Sequence, residues 1–353
     1  MEYKEIFAKR LKNARIMKGW SMDDLCNATN GIVSKMSISK YENSKAIPGS
    51  SILIAFANAL NLPVDYFVRP FTIKIDSIKF RKRKSSLGIK KEKSIKENIA
   101  DLIERYIEIE EICDDSVNFT SPFDFEIKSK EQVKECAEQL REIWQLGVDG
   151  IVNIISILEE HGIKVMEIEA PDTFDGLSSF VNDVYPIIIL NKSFCSERKR
   201  FTALHELGHI ILHFDSSVDE NCEEELCNYF ANEMLLPDTV LKRMLGEQRH
   251  DISYEELKSI QLQFGISCDA MMYKAKESGI ISEKRYKYYC ISKNKNLDFK
   301  KKVEQSLYIE KETFRFRRLV FKALSSELIT YSKAAELLNE SIEKVRGDLA
   351  LVC

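Results

Sequence analysis

The chain has 353 residues, of which 44% are hydrophobic and 31% charged, a composition typical of a folded protein with two or three domains. No apolar run approaches the roughly 18 residues that a membrane span requires, and the N-terminal segment lacks the apolar core of a signal peptide. The nine cysteines include no C-x-x-C pair, so we expect free thiols in a cytoplasmic protein.

The charge is distributed unevenly along the chain. Residues 1–99 contain 20 Lys and Arg against 9 Asp and Glu, a net +11, so the remaining 254 residues must carry −15 to give the total of −4. A basic N-terminal part favours contact with a polyanion such as nucleic acid. A solvated basic linker would produce the same pattern.

Residues 1–70 show the pattern of five short helices. The first ends at Gly19, and Ser21 is placed to cap the second, with Asp24 three residues on as in a capping box. A third helix begins near Ser34 and runs through MSISKYEN. The segment SSILIAFANAL forms a fourth, and a last short helix follows a proline.

This segment resembles the XRE/Cro-repressor helix-turn-helix family in the stretches RLKNARIMKGWSMDDLC, ISKYENSKAIP and FANALNLPVDYF. The resemblance implies that residues 1–70 bind double-stranded operator DNA, with the third helix at the major groove. The residues implied in this contact are Lys35, Met36, Ser37, Ser39 and Lys40. Met22 departs from the family, whose members usually carry a phosphate-contacting Gln there. Modules of this family also bind proteins.

Residues 71–139 are predicted to form a basic linker with a strand and a helix. IKIDSIKF alternates like a strand, the run Arg81–Lys84 is fully basic, and an amphipathic helix extends from about Lys90 to Ile112. The basic run would either add salt-dependent affinity for the DNA backbone or simply keep the linker soluble.

The segment LHELGHIILH, residues 204–213, has the spacing of a zinc site on a helix. His205 and His209 lie one turn apart on one face, so both imidazoles can reach one zinc ion. Glu206 can then act as general base on a zinc-bound water. His213 continues the spacing, but it lies about 12 Å from His205 along a helix that we predict to extend to Phe214. We therefore expect His213 to support a ligand or cap the helix.

A catalytic zinc needs a third protein ligand and an open fourth position. The downstream amphipathic helix CEEELCNYFANEMLLP, residues 222–237, offers three candidates in Glu223, Glu224 and Glu225. Their spacing alone does not choose between them.

Residues 140–280 resemble the ImmA/IrrE family of gluzincin-like zinc metallopeptidases. The resemblance rests on GIKVMEIEAPDTFDGLSSF, PIIILNKSFCSERKRFTALHELGHIILHF and EEELCNYFANEMLLP. It implies Glu224 as the third ligand, and it places Cys227 where alanine is usual, which leaves a thiol near the metal. It also implies a zinc endopeptidase of bacterial stress response or mobile-element control that cleaves a partner protein, such as a repressor.

The segment from Phe174 to Val181 is expected to form a strand near the active-site helix, where an extended peptide could pair. A simple turn at Gly176 is the alternative. Tyr185, Tyr229 and His250 are candidates for stabilising the oxyanion.

We predict a mostly helical α+β protein. Its domains are a five-helix helix-turn-helix domain at 1–70, the linker at 71–139, a zincin-like peptidase with a small sheet at 140–290, and a helical domain at 291–353. In the last, KAAELLNESIEKVR forms either a second helix-turn-helix or a helical pair on the peptidase, with Ser332 as cap.

Two functions fit this architecture. One is a DNA-tethered peptidase that cleaves a regulator. The other is a non-proteolytic regulator or antitoxin-like sensor, whose zincin fold binds a ligand or partner. A homodimer is compatible with either.

Overall fold

The computed structural model describes residues 2–72, 88–309 and 314–350, so the predicted strand at 73–80 and the basic run Arg81–Lys84 lie outside it. The described chain is mostly helical with small sheets, as predicted. It divides into two compact units, which comprise residues 1–117, 180–185 and 314–353, and residues 118–179 and 186–313. Among the described helices, none combines the length and the apolarity needed to cross a membrane.

The first unit begins with five short helices. They are α1 (Tyr3–Met17), α2 (Met22–Ala28), α3 (Lys35–Glu42), α4 (Ser50–Leu60) and a 3-10 helix (Val64–Phe67). Gly19 turns the chain with φ +68°, a conformation that glycine adopts without strain. Ser21 and Asp24 form the predicted capping box, and the Ser34 hydroxyl accepts a hydrogen bond from the Ser37 amide. The predicted helix boundaries in this segment are confirmed.

An aromatic core holds these helices together. Phe7 packs edge-on against Tyr41, with ring centroids 6.4 Å apart, and Tyr41 packs in the same way against Phe56 at 6.1 Å. Met22 packs against this core. The departure from the family's usual Gln is therefore a half-buried apolar contact.

Four further helices complete the first unit. They are α5 (Ile89–Cys113), α15 (Arg315–Ser325), α16 (Tyr331–Leu338) and α17 (Ile342–Ala350). Ile109 of α5 shares a buried cluster with Leu319 and Val345 of the C-terminal helices. The N-cap of α16 is Thr330, whose hydroxyl accepts from the Lys333 amide at 3.2 Å, so the prediction of Ser332 as cap is wrong.

Buried ion pairs connect α5 to the N-terminal helices of the same unit. Arg10 lies 2.7 Å from Glu104, and Arg69 lies 2.6 Å from Asp101. Burial raises the pKa of Glu97 on the same helix to about 7, against attraction from Arg10. Helix α5 is thus part of the folded N-terminal unit.

The second unit contains most of a small sheet. Its strands are β2 (Lys164–Ile168), β3 (Gly176–Val181) and β4 (Tyr185–Asn191), in the order β2-β4-β3. Strand β2 runs parallel to β4, with Lys164 opposite Ile187. Strand β3 therefore lies at an edge, as the prediction of a peptide-receiving strand requires. Two shorter strands, β1 (Glu126–Ile127) and β5 (His213–Phe214), pair in parallel.

Nine described helices surround these strands. They are α6 (Lys130–Ile143), α7 (Ile154–Glu160), α8 (Ser196–Ile211), α9 (Glu220–Leu235), α10 (Asp238–Leu245), α11 (Tyr254–Phe264), α12 (Cys268–Glu277), α13 (Glu283–Lys295) and α14 (Leu297–Glu304). Helices α8 and α9 pack closely at Gly208, where a Cβ would lie 3.2 Å from the Cys227 sulfur and 3.4 Å from the Phe230 ring. The small residue at position 208 thus allows the two helices to approach closely.

Helix α8 is shorter than predicted. It ends at Ile211, and Leu212 has extended backbone angles. The following His213 and Phe214 are drawn into pairing with β1, so the helix does not continue to Phe214. Strand pairing thus overrides the helical periodicity at the end of LHELGHIILH, and His213 leaves the stripe of the other two histidines.

Candidate metal centre and recognition helix

Two imidazoles meet on the buried face of α8. His205 and His209 lie one helical turn apart, and their Nε2 atoms are 3.1 Å from each other. The side chains of His205 and His209 are only 3% and 5% exposed. Two nitrogen atoms therefore converge on one point at a protected position.

Glu224 of α9 completes the cluster. Its Oε2 lies 3.3 Å from His205 Nε2, and its Oε1 lies 3.2 Å from His209 Nε2. Tetrahedral zinc with bonds of about 2.1 Å separates its ligand atoms by about 3.4 Å, so the observed spacing fits one such ion. Within the part of the chain that the structure describes, this trio is the group of histidine and acidic side chains that can hold a metal ion. Two histidines and one glutamate also leave a fourth position open.

The three consecutive glutamates of α9 have different surroundings. Glu224 faces both imidazoles. Glu223 Oε1 lies 3.3 Å from the other nitrogen of His209, Nδ1. Glu225 is exposed and lines a cavity together with Tyr229. The sequence alone left these three side chains equivalent, and the packing of α9 on α8 separates them.

The outer side of His209 is held by two groups. Besides Glu223, the sulfur of buried Cys227 lies 3.3 Å from His209 Nδ1. An imidazole that binds a metal through Nε2 carries its proton on Nδ1, where a carboxylate or a sulfur can accept it. The resemblance implied a thiol near the metal, whereas the role of Glu223 was not predicted. The position of Glu223 directly before Glu224 in the sequence was the one feature that could have indicated this role.

Glu206, the predicted general base, is 5% exposed and lies beside the histidines. Ser178 of β3 donates a hydrogen bond from Oγ to Glu206 Oε2 at 2.7 Å. This contact depends on close packing at Gly176, where a Cβ would lie 2.7 Å from both the Ile189 carbonyl oxygen and the Thr202 methyl group. The sequence predicted the strand but not the contact between its serine and the base.

Other residues singled out in the sequence lie elsewhere. His213 is exposed on β5, so the structure contradicts its placement as a support for a ligand or a helix cap. Tyr229 packs beneath Lys130, whose Nζ lies 4.5 Å from the ring centroid. His250 is exposed between two helices, and Tyr185 begins β4.

The residues implied in DNA contact lie on α3. Lys35, Met36 and Lys40 are exposed, and Met36 is 69% exposed, whereas Ser37 and Ser39 are half-buried. Lys35 Nζ lies 2.6 Å from Asp23, an exposed pair that solvent screens. An exposed methionine between two lysines offers an apolar contact as well as charge.

Comparison with protein-family models gives two matches. Residues 158–276 match a model of the M78 peptidases, described as the IrrE N-terminal-like domain, and this range contains the whole His205–Glu224 cluster. Residues 11–67 match a helix-turn-helix model, and this range contains α3. None of the curated proteins compared with the chain matches it.

Proposed function

Because the chain combines an XRE-type helix-turn-helix domain with an ImmA/IrrE-type domain of the M78 peptidases, we propose that it is a DNA-binding regulator that hydrolyses a peptide bond in a partner protein. The observation that carries this proposal is the convergence of His205, His209 and Glu224 beside a buried, hydrogen-bonded Glu206. A purely structural metal site would have no use for a carboxylate held next to an open coordination position.

The donor set of two imidazoles and one carboxylate fits zinc. Zinc bound there would act as a Lewis acid on the scissile carbonyl and make water acidic enough to attack near neutral pH. Glu223 and Cys227 would keep the His209 ring oriented, with Nε2 turned inward. The protein itself would thus orient one of the proposed ligands.

Glu206 would move the proton. Its Oε2 is engaged by Ser178, which leaves Oε1 to accept a proton from the attacking water and deliver it to the leaving amine. Edge strand β3, which carries Ser178, would align an extended substrate by main-chain hydrogen bonds. The same strand would then position both the peptide and the base.

Residues 1–70 would bind operator DNA, with Lys35, Met36, Ser37, Ser39 and Lys40 at or near the major groove. A homodimer would place two such helices on two half-sites. In this scheme residues 1–70 would be the DNA-binding domain and residues 140–290 the peptidase.

A second candidate function is a sensor that binds a ligand without turnover. The observation that favours it is a cavity of about 530 Å³ lined by Phe201, whose ring stacks 6.5 Å from that of His205. A ligand in this cavity would contact Phe201 and could thereby shift the ring of His205 without any hydrolysis.

Quantitative proteomics separates the two functions. Cells that carry the Glu206→Gln protein should accumulate at least one regulator that cells with the wild-type protein degrade, while the purified variant keeps its zinc. If the variant keeps its zinc and no regulator accumulates in cells that carry it, the result would instead support the sensor function.

A further inference from the structure

A cavity beside the metal centre has lining residues that the proposed hydrolysis does not use. It lies between α6, α9 and α12, with a volume of about 530 Å³, a size suited to a small ligand or a substrate side chain. Tyr229, Asn232 and Tyr273 line it, and they also line an adjoining cavity of about 380 Å³. We call the two together the Tyr229 cavity.

Helix α9 places the metal centre and the Tyr229 cavity on different sides. At about 100° per residue, Tyr229 and Asn232 are turned about 140° and 80° from Glu224 around the helix. Phe201 connects the two places, because its ring lines the cavity and stacks against His205 with centroids 6.5 Å apart. An occupant would therefore lie next to the metal ligands without replacing them.

The lysines around the Tyr229 cavity are already paired. Lys130 contacts Glu277, and Lys134 lies 3.6 Å from Asp238. Lys274 is buried against Glu233. Their positive charges are therefore balanced by neighbouring carboxylates and are poorly available to an anionic ligand.

The hydrogen-bond acceptors around the cavity are not all paired. Asn232 is 6% exposed, and its Oδ1 has no hydrogen-bond partner within the described part of the chain. Glu225 is exposed and forms no ion pair with any described residue. A buried amide oxygen without a partner costs free energy, which a ligand N–H group would recover.

The tyrosine rings of the cavity already face cations of the protein. Lys130 Nζ lies 4.5 Å from the Tyr229 ring centroid, and Lys276 Nζ lies 4.3 Å from that of Tyr273. The two acceptors without a partner among the described residues, Asn232 Oδ1 and the Glu225 carboxylate, therefore indicate the ligand chemistry, since together they call for a donor that carries positive charge.

We propose that the Tyr229 cavity binds a guanidinium or ammonium group, which donates to Asn232 Oδ1 and is neutralised by Glu225. The group could belong to a free amine or to a basic side chain of a bound peptide. In the second case the inference also rests on the proposed function, since the cavity would then select the substrate.

The test uses the zinc-loaded, full-length Glu206→Gln protein, so binding is measured without turnover. The probes are agmatine, an acetylated and amidated pentapeptide with one central arginine, and the same peptide with neutral citrulline. Isothermal titration should show saturable binding of a cationic probe and little binding of the citrulline peptide. Binding of agmatine would identify a free amine as the occupant, whereas binding of the arginine peptide alone would identify a side chain.

Two variants locate the binding site. Glu225→Gln changes an exposed side chain, and Asn232→Leu removes the buried acceptor while keeping the number and branching of the side-chain heavy atoms. Each should weaken binding by about tenfold or more, whereas Glu220→Gln on the same helix should not. The inference is overturned if neither cationic probe binds, or if the citrulline peptide binds as tightly as the cationic probes. It is also overturned if the affinity for the cationic probe is unchanged in both Glu225→Gln and Asn232→Leu. These measurements report binding by the Glu206→Gln protein, so a failure of the proposed peptidase function would not change them.

Discussion

Ser178 donates a 2.7 Å hydrogen bond to Glu206, and this bond joins the edge strand to the proposed general base. Ser178→Ala should slow cleavage by about 10- to 100-fold, because the carboxylate loses the partner that orients it. Zinc content should stay at the wild-type level. Ser179→Ala is the matched control, since its side chain points to the other face of β3. Equal cleavage rates for the two variants would contradict the role of Ser178.

Glu223 should strengthen metal binding without being a ligand. Its Oε1 lies 3.3 Å from His209 Nδ1, so Glu223→Gln removes the charged acceptor that favours the metal-binding tautomer. We expect zinc affinity to fall by about 10- to 100-fold in competition with a chromophoric chelator, while Glu220→Gln has wild-type affinity. An unchanged affinity in Glu223→Gln would show that the contact does not orient the ring.

Gly176 should be intolerant of a side chain. A Cβ there would lie 2.7 Å from the Ile189 carbonyl oxygen, a backbone atom that cannot move away independently. We expect Gly176→Ala to lower the free energy of unfolding by about 1–3 kcal/mol in urea titrations. Gly347→Ala, inside α17 where a Cβ would meet nothing within 4 Å, should not lower it. Similar effects in both variants would mean that β3 does not pack as described.

Glu97 should make stability depend on pH. Burial raises its pKa from 4.5 to about 7, so the folded state binds the proton more tightly than the unfolded state. The contribution of protonated Glu97 to the free energy of unfolding is complete below pH 4.5 and is lost as the pH rises through 7. Glu97→Gln should therefore match the wild type near pH 4.5 and exceed its stability at pH 8 by about 1–2 kcal/mol, measured by chemical unfolding. A variant that is less stable at pH 8 would contradict this.

Lys40 should contribute to DNA affinity without base specificity. It is exposed on α3 and forms no ion pair with the described residues. If it contacts a phosphate, Lys40→Ala should reduce the slope of log K against log salt by about one in DNA titrations. Lys287→Ala removes an exposed lysine from the second unit and should leave the slope unchanged. A slope unchanged by Lys40→Ala would exclude that contact.

Local patterns predicted the local structure well. The caps at Ser21 and Ser34 set the helix boundaries of the N-terminal segment, because a capping side chain acts within three residues of itself. The one-turn spacing of His205 and His209 likewise determined their convergence. Both relationships lie within a single helix, where sequence distance fixes geometry.

Contacts between elements were harder to predict. The end of α8 depends on pairing between His213 and β1, more than 80 residues earlier in the chain. The contact between Ser178 and Glu206 depends on how β3 packs against α8. Periodicity carries no information on either, since each depends on tertiary packing that the local pattern does not encode.

Zinc analysis of single-glutamate variants tests the metal centre most directly. Wild-type protein should contain one zinc ion per chain by inductively coupled plasma mass spectrometry, and Glu225→Ala, which alters the neighbouring residue, should keep it. Glu224→Ala should lose most of it, because two imidazoles alone hold zinc weakly. Full zinc content in Glu224→Ala, or its loss in Glu225→Ala alone, would contradict the ligand set of His205, His209 and Glu224.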